Sequence, residues 1–185
     1  MRASAGCRNL FYQNHCRIPC GIHSVFSNTF IFDAENDGKE GYLYSLVTTS
    51  IIQGIKSIPV YVEADVSDGM PLFEMVGSLS PEVKESKERV RTALKNTGYI
   101  LPPKRITINF IPANIRKTGS GFDLPVVAAV LCAIGIVPEE ALKDTMVVGE
   151  ISLRGDVKPV NGILPMVAEA KERGVTRCIV PAENQ

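Results

Sequence analysis

Ile111-Pro-Ala-Asn-Ile-Arg-Lys-Thr-Gly-Ser-Gly-Phe-Asp-Leu-Pro-Val-Val-Ala-Ala-Val-Leu131 is the stretch on which the reading of this chain turns. It holds a strand end, a basic turn at Arg116 and Lys117, a Gly119-Ser120-Gly121 loop and the start of the most apolar helix in the sequence. A loop that opens into a helix presents unpaired backbone N–H groups at the positive end of the helix dipole. Such an arrangement suits an anion or a developing oxyanion. Arg116, Lys117, Gly119, Ser120 and Gly121 are therefore the candidate binding residues. A nucleotide-binding P-loop would need a Lys followed by Ser or Thr at the helix start. Here Phe122 and Asp123 follow Gly121, and Asp123 would repel a phosphate. The P-loop reading fails, and Asp123 reads as an acid placed favourably in a helical first turn.

Outward from this stretch the chain reads as an alternation of strands and helices. Residues 44–52 are rich in β-branched side chains and predict a strand. Residues 59–66 place Val60, Val62, Ala64 and Val66 on one face, a half-buried strand antiparallel to the first. Residues 72–76 return as a third. Ser80-Pro81-Glu82 is a helix start, with Gly98 as the stop. Its stripe of Val83, Val90, Ala93 and Leu94 is thin, and Arg89 falls among the charges expected to face water. Residues 104–111 alternate as a strand. The helix over 122–136 is apolar nearly all round and must be buried on several sides. A strand at 146–148, a helix at 166–173 and a strand at 176–180 complete the order β-β-β-α-β-α-β-α-β, which predicts an α/β (α+β) mixed sheet with helices packed mainly on one face.

Residues 1–42 show no period of either kind and end in a polar run, Asp33 to Gly41. They read as a poorly structured leader outside the domain, consistent with translated sequence upstream of the natural start. The domain is expected over 43–185, and its abrupt end at Pro-Ala-Glu-Asn-Gln reads as truncation. His15, Cys16, Cys20 and His23 are metal-ligand types, but their spacing matches no zinc pattern and the cluster reads as chance. Both histidines lie there, so none is left for general base catalysis in the main body. Five cysteines without regular spacing are a poor disulfide framework; Cys132 and Cys178 read as small buried hydrophobes of a reducing compartment.

Twenty basic and twenty acidic residues give zero formal net charge, so no global field favours nucleic acid or an anionic membrane. No segment approaches the ~20 apolar residues that span a bilayer, and the N-terminus lacks the apolar core of a secretory signal. A cytoplasmic protein without a membrane partner is the expectation.

Several short runs together are specific where each alone is weak: Tyr44-Ser-Leu-Val47, Val76-Gly77, Lys104-Arg-Ile-Thr-Ile-Asn109, Gly121-Phe-Asp-Leu-Pro125 and Gly149-Glu-Ile-Ser-Leu-Arg-Gly155. With them, residues 44–185 resemble the N-terminal (ChlI-like) domain of the magnesium-chelatase-like AAA+ ATPases of the ComM/YifB type. The resemblance implies the ribosomal protein S5 domain 2-like fold shared with the proteolytic domain of Lon proteases. Lon uses a Ser nucleophile in a Gly-Pro-Ser-Ala-Gly loop and a Lys base after a Gly-Gly-Leu turn. Aligned on those motifs, Gly121 stands at the Ser position and Leu164 at the Lys position, so no catalytic residue is expected. Ser120 is one residue out of register, and Lys117 and Lys158 are expected in solvated turns, where a Lys stays protonated and is a poor base.

The resemblance thus implies a non-catalytic accessory domain for assembly, regulation or contact with DNA or a partner. It carries no metal or cofactor of its own. ATP and magnesium are implied for an AAA+ module absent from this chain. The intact protein is implied to form a homo-oligomeric ring and, if of the ComM type, to promote DNA branch migration during natural transformation. Two alternatives stay open: a divergent Lon-like serine protease using Ser120, and a free-standing nucleic-acid-binding module.

Overall fold

The computed structural model describes residues 43–184. The leader, with its His15–His23 cluster, lies outside the described residues. Three strands come first: β1 (Leu43–Gln53), β2 (Lys56–Ser67) and β3 (Leu72–Val76). Helix α1 (Pro81–Asn96) leads to β4 (Arg105–Ile111), then α2 (Asp123–Ala133) and β5 (Thr145–Val147). Two short strands, β6 (Glu150–Ile151) and β7 (Val157–Lys158), precede α3 (Ile163–Glu172) and β8 (Arg177–Ile179).

The six-stranded sheet has the order β3-β4-β2-β1-β5-β8. β1 and β2 form the expected antiparallel hairpin, with Val47 opposite Val62 and Thr49 opposite Val60. β4 joins β2 antiparallel, whereas β3 lies outside β4 and runs parallel to it. The connection from β3 through α1 to β4 is a parallel crossover, which needs a helix's length of chain. β6 and β7 pair as a separate antiparallel ribbon.

Alternation decides which face is buried. Val60, Val62, Ala64 and Val66 of β2 are 0–3% exposed, as are Ile106, Ile108 and Phe110 of β4. Against this face lie α1 and α2. Every residue of α2 except Cys132 is buried, which is why it carries no polar stripe. Each fully buried Val or Leu here contributes about 1.5–3 kcal/mol. Ser45 on β1 donates to the carbonyl oxygen of Ala129 (2.7 Å), tying the buried helix to the sheet. The third helix packs on the opposite face, where Met146, Val148, Ile163, Met166 and Ala170 form a second apolar cluster with Ile52 and Cys178 around it. Two helices on one face and one on the other is the arrangement expected. Cys132 and Cys178 are unbonded to each other and half-buried, and burial with nearby Glu139 and Glu140 pushes the Cys132 thiol up to about 11.

Candidate functional site

The Gly-Ser-Gly loop sits where the sheet opens. β1 and β5 pair at one register only, Thr48 with Met146. Beyond it the chain after β5 leaves β1: the Val148 N–H donates to Ile179 O, Gly149 N–H to Gly121 O, and Leu124 N–H to Gly149 O. The loop is thus anchored to the turn after β5 while β1 continues alone on that side. Between them is a cleft of about 240 Å³ lined by residues 50–52 of β1, residues 118–122 of the loop, and Val160, Asn161 and Met166. No lining residue carries a charge. The Ser50 hydroxyl is bonded to that of Ser57.

Gly119, Ser120 and Gly121, three of the five candidate residues, line this cleft. Arg116 is exposed on the chain leading into it and is not part of the lining. Lys117 is the surprise. Its side chain is fully buried, and the ammonium donates to the backbone carbonyls of Phe110 (3.3 Å) and Pro112. Its backbone pairs with the segment ahead of α1, N–H to Ser78 O and O to Ser80 N–H. The expectation of a solvated turn is corrected for Lys117, which offers no charge to a surface partner. Lys158 is exposed, as expected. No local pattern marks Lys117 for burial, because the backbone segment it bridges lies 38 residues away at Leu79.

Burial lowers the Lys117 pKa below its ordinary 10.5. Between the lowered value and 10.5 the unfolded chain holds the extra proton, so stability attributable to this group rises with pH there. Below the folded value the penalty is fully present. We expect wild type to gain urea resistance relative to Lys117→Met as the pH is raised from neutrality toward 10.5. Parallel curves for the two proteins would show that the amine is not desolvated.

Asp123 is fully buried at the start of α2 and accepts two hydrogen bonds from Arg89, at 2.8 Å from Nε and 3.0 Å from Nη2. It also accepts the Ile151 N–H at 3.2 Å. Arg89 is therefore not one of the solvated charges of α1, as the sequence suggested; it clamps α1 to the loop and to the turn into the β6–β7 ribbon. The Asp123 carboxylate is thus committed to Arg89 and the Ile151 N–H and is not part of the cleft lining. The Phe122 ring packs edge-on against Phe110, centroids 5.6 Å apart, fixing the loop's other shoulder to β4.

The two positions that the resemblance pairs as nucleophile and base are not alike in place. Gly121 lines the cleft, whereas Leu164 projects from the first turn of α3, 81% exposed and outside the lining. Sequence reasoning missed the contributions of residues 50–52, Val160, Asn161 and Met166, and the role of Arg89. The Asn161-Gly162 pair was the available signal for a tight turn there. Among the described residues no group of three or more His, Cys, Asp or Glu side chains could hold a metal, and no helix is long and apolar enough to cross a membrane.

The family model for subunit ChlI of Mg-chelatase matches residues 62–184. The chain is 38% identical over 141 residues to the protein YifB of Escherichia coli, covering 76% of this chain and 28% of that one. It is 35% identical over 128 residues to the competence protein ComM of Haemophilus influenzae (69% and 25%). Over 123 residues it is 35% identical to Lon protease 2 of Bacillus subtilis (63% and 22%). The chain spans about a quarter of the length of YifB and ComM, the curated relatives it matches. A mixed α/β domain with a Lon-like loop, matched over most of its length, belongs to the magnesium-chelatase ChlI family, with YifB and ComM among its homologues.

Proposed function

We propose that this domain is a non-catalytic accessory part of a magnesium-chelatase-like AAA+ ATPase, serving assembly, regulation or partner contact. ATP and magnesium act in a motor module outside these residues, and the intact protein works in the cytoplasm as a homo-oligomeric ring. In the ComM type its output is DNA branch migration during transformation. Gly121 and Leu164 stand where a Lon protease carries its serine and lysine.

One observation carries the non-catalytic reading: the lining of the cleft at the Gly-Ser-Gly loop contains no base. A Ser nucleophile needs a general base within about 2.6–3.2 Å of its hydroxyl. Ser120 makes no side-chain hydrogen bond among the described residues, the Lys117 ammonium is committed to two carbonyls, and Lys158 is outside the lining. Of the two basic residues considered for contact with DNA, Arg116 alone is exposed.

The test is incubation of the chain with unfolded casein beside Ser120→Ala. We expect no cleavage above the blank by either protein. Cleavage by wild type that the substitution abolishes would establish the serine-protease alternative instead.

A further inference from the structure

The cleft has an unusual pair of walls. On one side, residues 50–53 of β1 bond to β2 along one edge only; among the described residues no backbone group pairs with their other edge. On the other side, the N–H groups of Thr118, Gly119, Ser120 and Gly121 donate to no backbone acceptor among the described residues. A strand edge with free donors and acceptors is a template for another extended chain, and residues 118–121, whose N–H groups are free, line the same cleft. At about 3.3 Å per residue, residues 50–53 span about 13 Å, room for a segment of about four residues. The lining has no charged side chain, so a charge brought into it would be desolvated without a partner. A Cβ on Gly162 would meet Ile52 Cγ1 at 2.8 Å, so these residues touch. Ile55, 94% exposed, and Leu164, 81% exposed, lie three and two residues beyond them.

We propose that this slot takes an extended, uncharged segment of a partner polypeptide as an added strand alongside β1, its outer edge held by the loop amides. Main-chain bonds give such a complex its affinity and the flanking apolar groups its selectivity. The inference rests on the partner-contact reading above and gives the partner's chemistry: a strand-forming segment without charge at its centre, flanked by apolar side chains that reach Ile55 and Leu164. Because the slot reads the backbone, a peptide that cannot offer N–H groups is rejected whatever its side chains.

The experiment uses the 185-residue chain and a fluorescein-labelled, N-acetylated, C-amidated peptide of alternating valine and serine. The same peptide N-methylated at its central residues is the control. Saturable anisotropy with the first and none with the second is expected. At a free peptide concentration about ten times its Kd, amide exchange at residues 50–53 and 118–121 slows about tenfold. Mass spectrometry of the same samples separates the two ideas. Intact peptide with protected amides supports both, and protected amides with a cleaved peptide keep the slot but overturn the non-catalytic reading. No protection, or equal protection by the N-methylated peptide, overturns the slot and leaves the absence of catalysis standing. Protection of these amides in the chain alone, with sedimentation as a dimer, also overturns it, since a second copy would then be the occupant.

Discussion

Replacing Arg89 by alanine destabilises the domain by about 3–5 kcal/mol, the cost of leaving one member of a buried ion pair without its partner. The direction follows from the asymmetry of the pair. Arg89 keeps a quarter of its side chain in solvent, while Asp123 keeps none. Without the guanidinium the carboxylate is left with a single backbone donor, the Ile151 N–H. Removing Asp123 instead is expected to cost less, because Arg89 can turn outward and rehydrate. Arg89→Lys should fall between wild type and Arg89→Ala, as a single ammonium cannot reproduce the two-pronged contact. Arg89→Met combined with Asp123→Leu should recover much of the loss, with about 1–3 kcal/mol remaining for the orphaned Ile151 N–H. Urea unfolding of the four variants checks the order. If Arg89→Ala lies within experimental error of wild type, the clamp does not hold the loop.

The second large effect is expected at Gly162, which caps α3 with φ +83°. A side chain there meets two penalties. The left-handed backbone costs about 1–2 kcal/mol for a non-glycine residue. The new Cβ would also lie 2.8 Å from Ile52 Cγ1, and overpacking of that kind costs about 1–3 kcal/mol. Gly162→Ala should therefore lose about 2–5 kcal/mol. Gly54, in the β1–β2 turn with φ +65° and nothing within 4 Å of a Cβ, supplies the comparison: Gly54→Ala meets the backbone term alone. Equal losses at the two glycines would mean that Ile52 moves aside freely and that the α3 start is not wedged against β1.

These two sites also mark how far the sequence could be read. α1 was legible because Pro81 at its first position and Gly98 just past its end punctuate it, although the Ser80 hydroxyl makes no capping bond, and α2 because an unbroken apolar run has nowhere to go but inside. The start of α3 was placed three residues late, at Met166 rather than Ile163, since its cap is a left-handed glycine and not a Ser or Asp side chain. The β6–β7 ribbon was missed because two-residue strands have no period to detect. The position of β4 between β2 and β3 is a non-local choice that alternation along one strand cannot express. Of the cleft, the loop residues were legible and the β1 wall was not: Ser50-Ile51-Ile52 reads simply as strand, and only the divergence of β5 from β1 exposes its edge. Arg89 and Lys117 were misread for one reason. A charge is assigned to water by default, and only a partner distant in sequence, Asp123 for one and the Phe110 and Pro112 carbonyls for the other, reverses that default.

The strand order has a consequence for how the chain is made. During synthesis the β1–β2 hairpin can close as soon as it leaves the ribosome, but β3 emerges with no seat, since its neighbour β4 is still some thirty residues behind. Until α2 follows, the row Val60, Val62, Ala64 and Val66 lacks the helix that packs on β2. A nascent chain arrested near residue 100 should therefore show a closed hairpin, a protease-sensitive β3 and an open apolar face, and gain resistance only when residues up to 133 have been released.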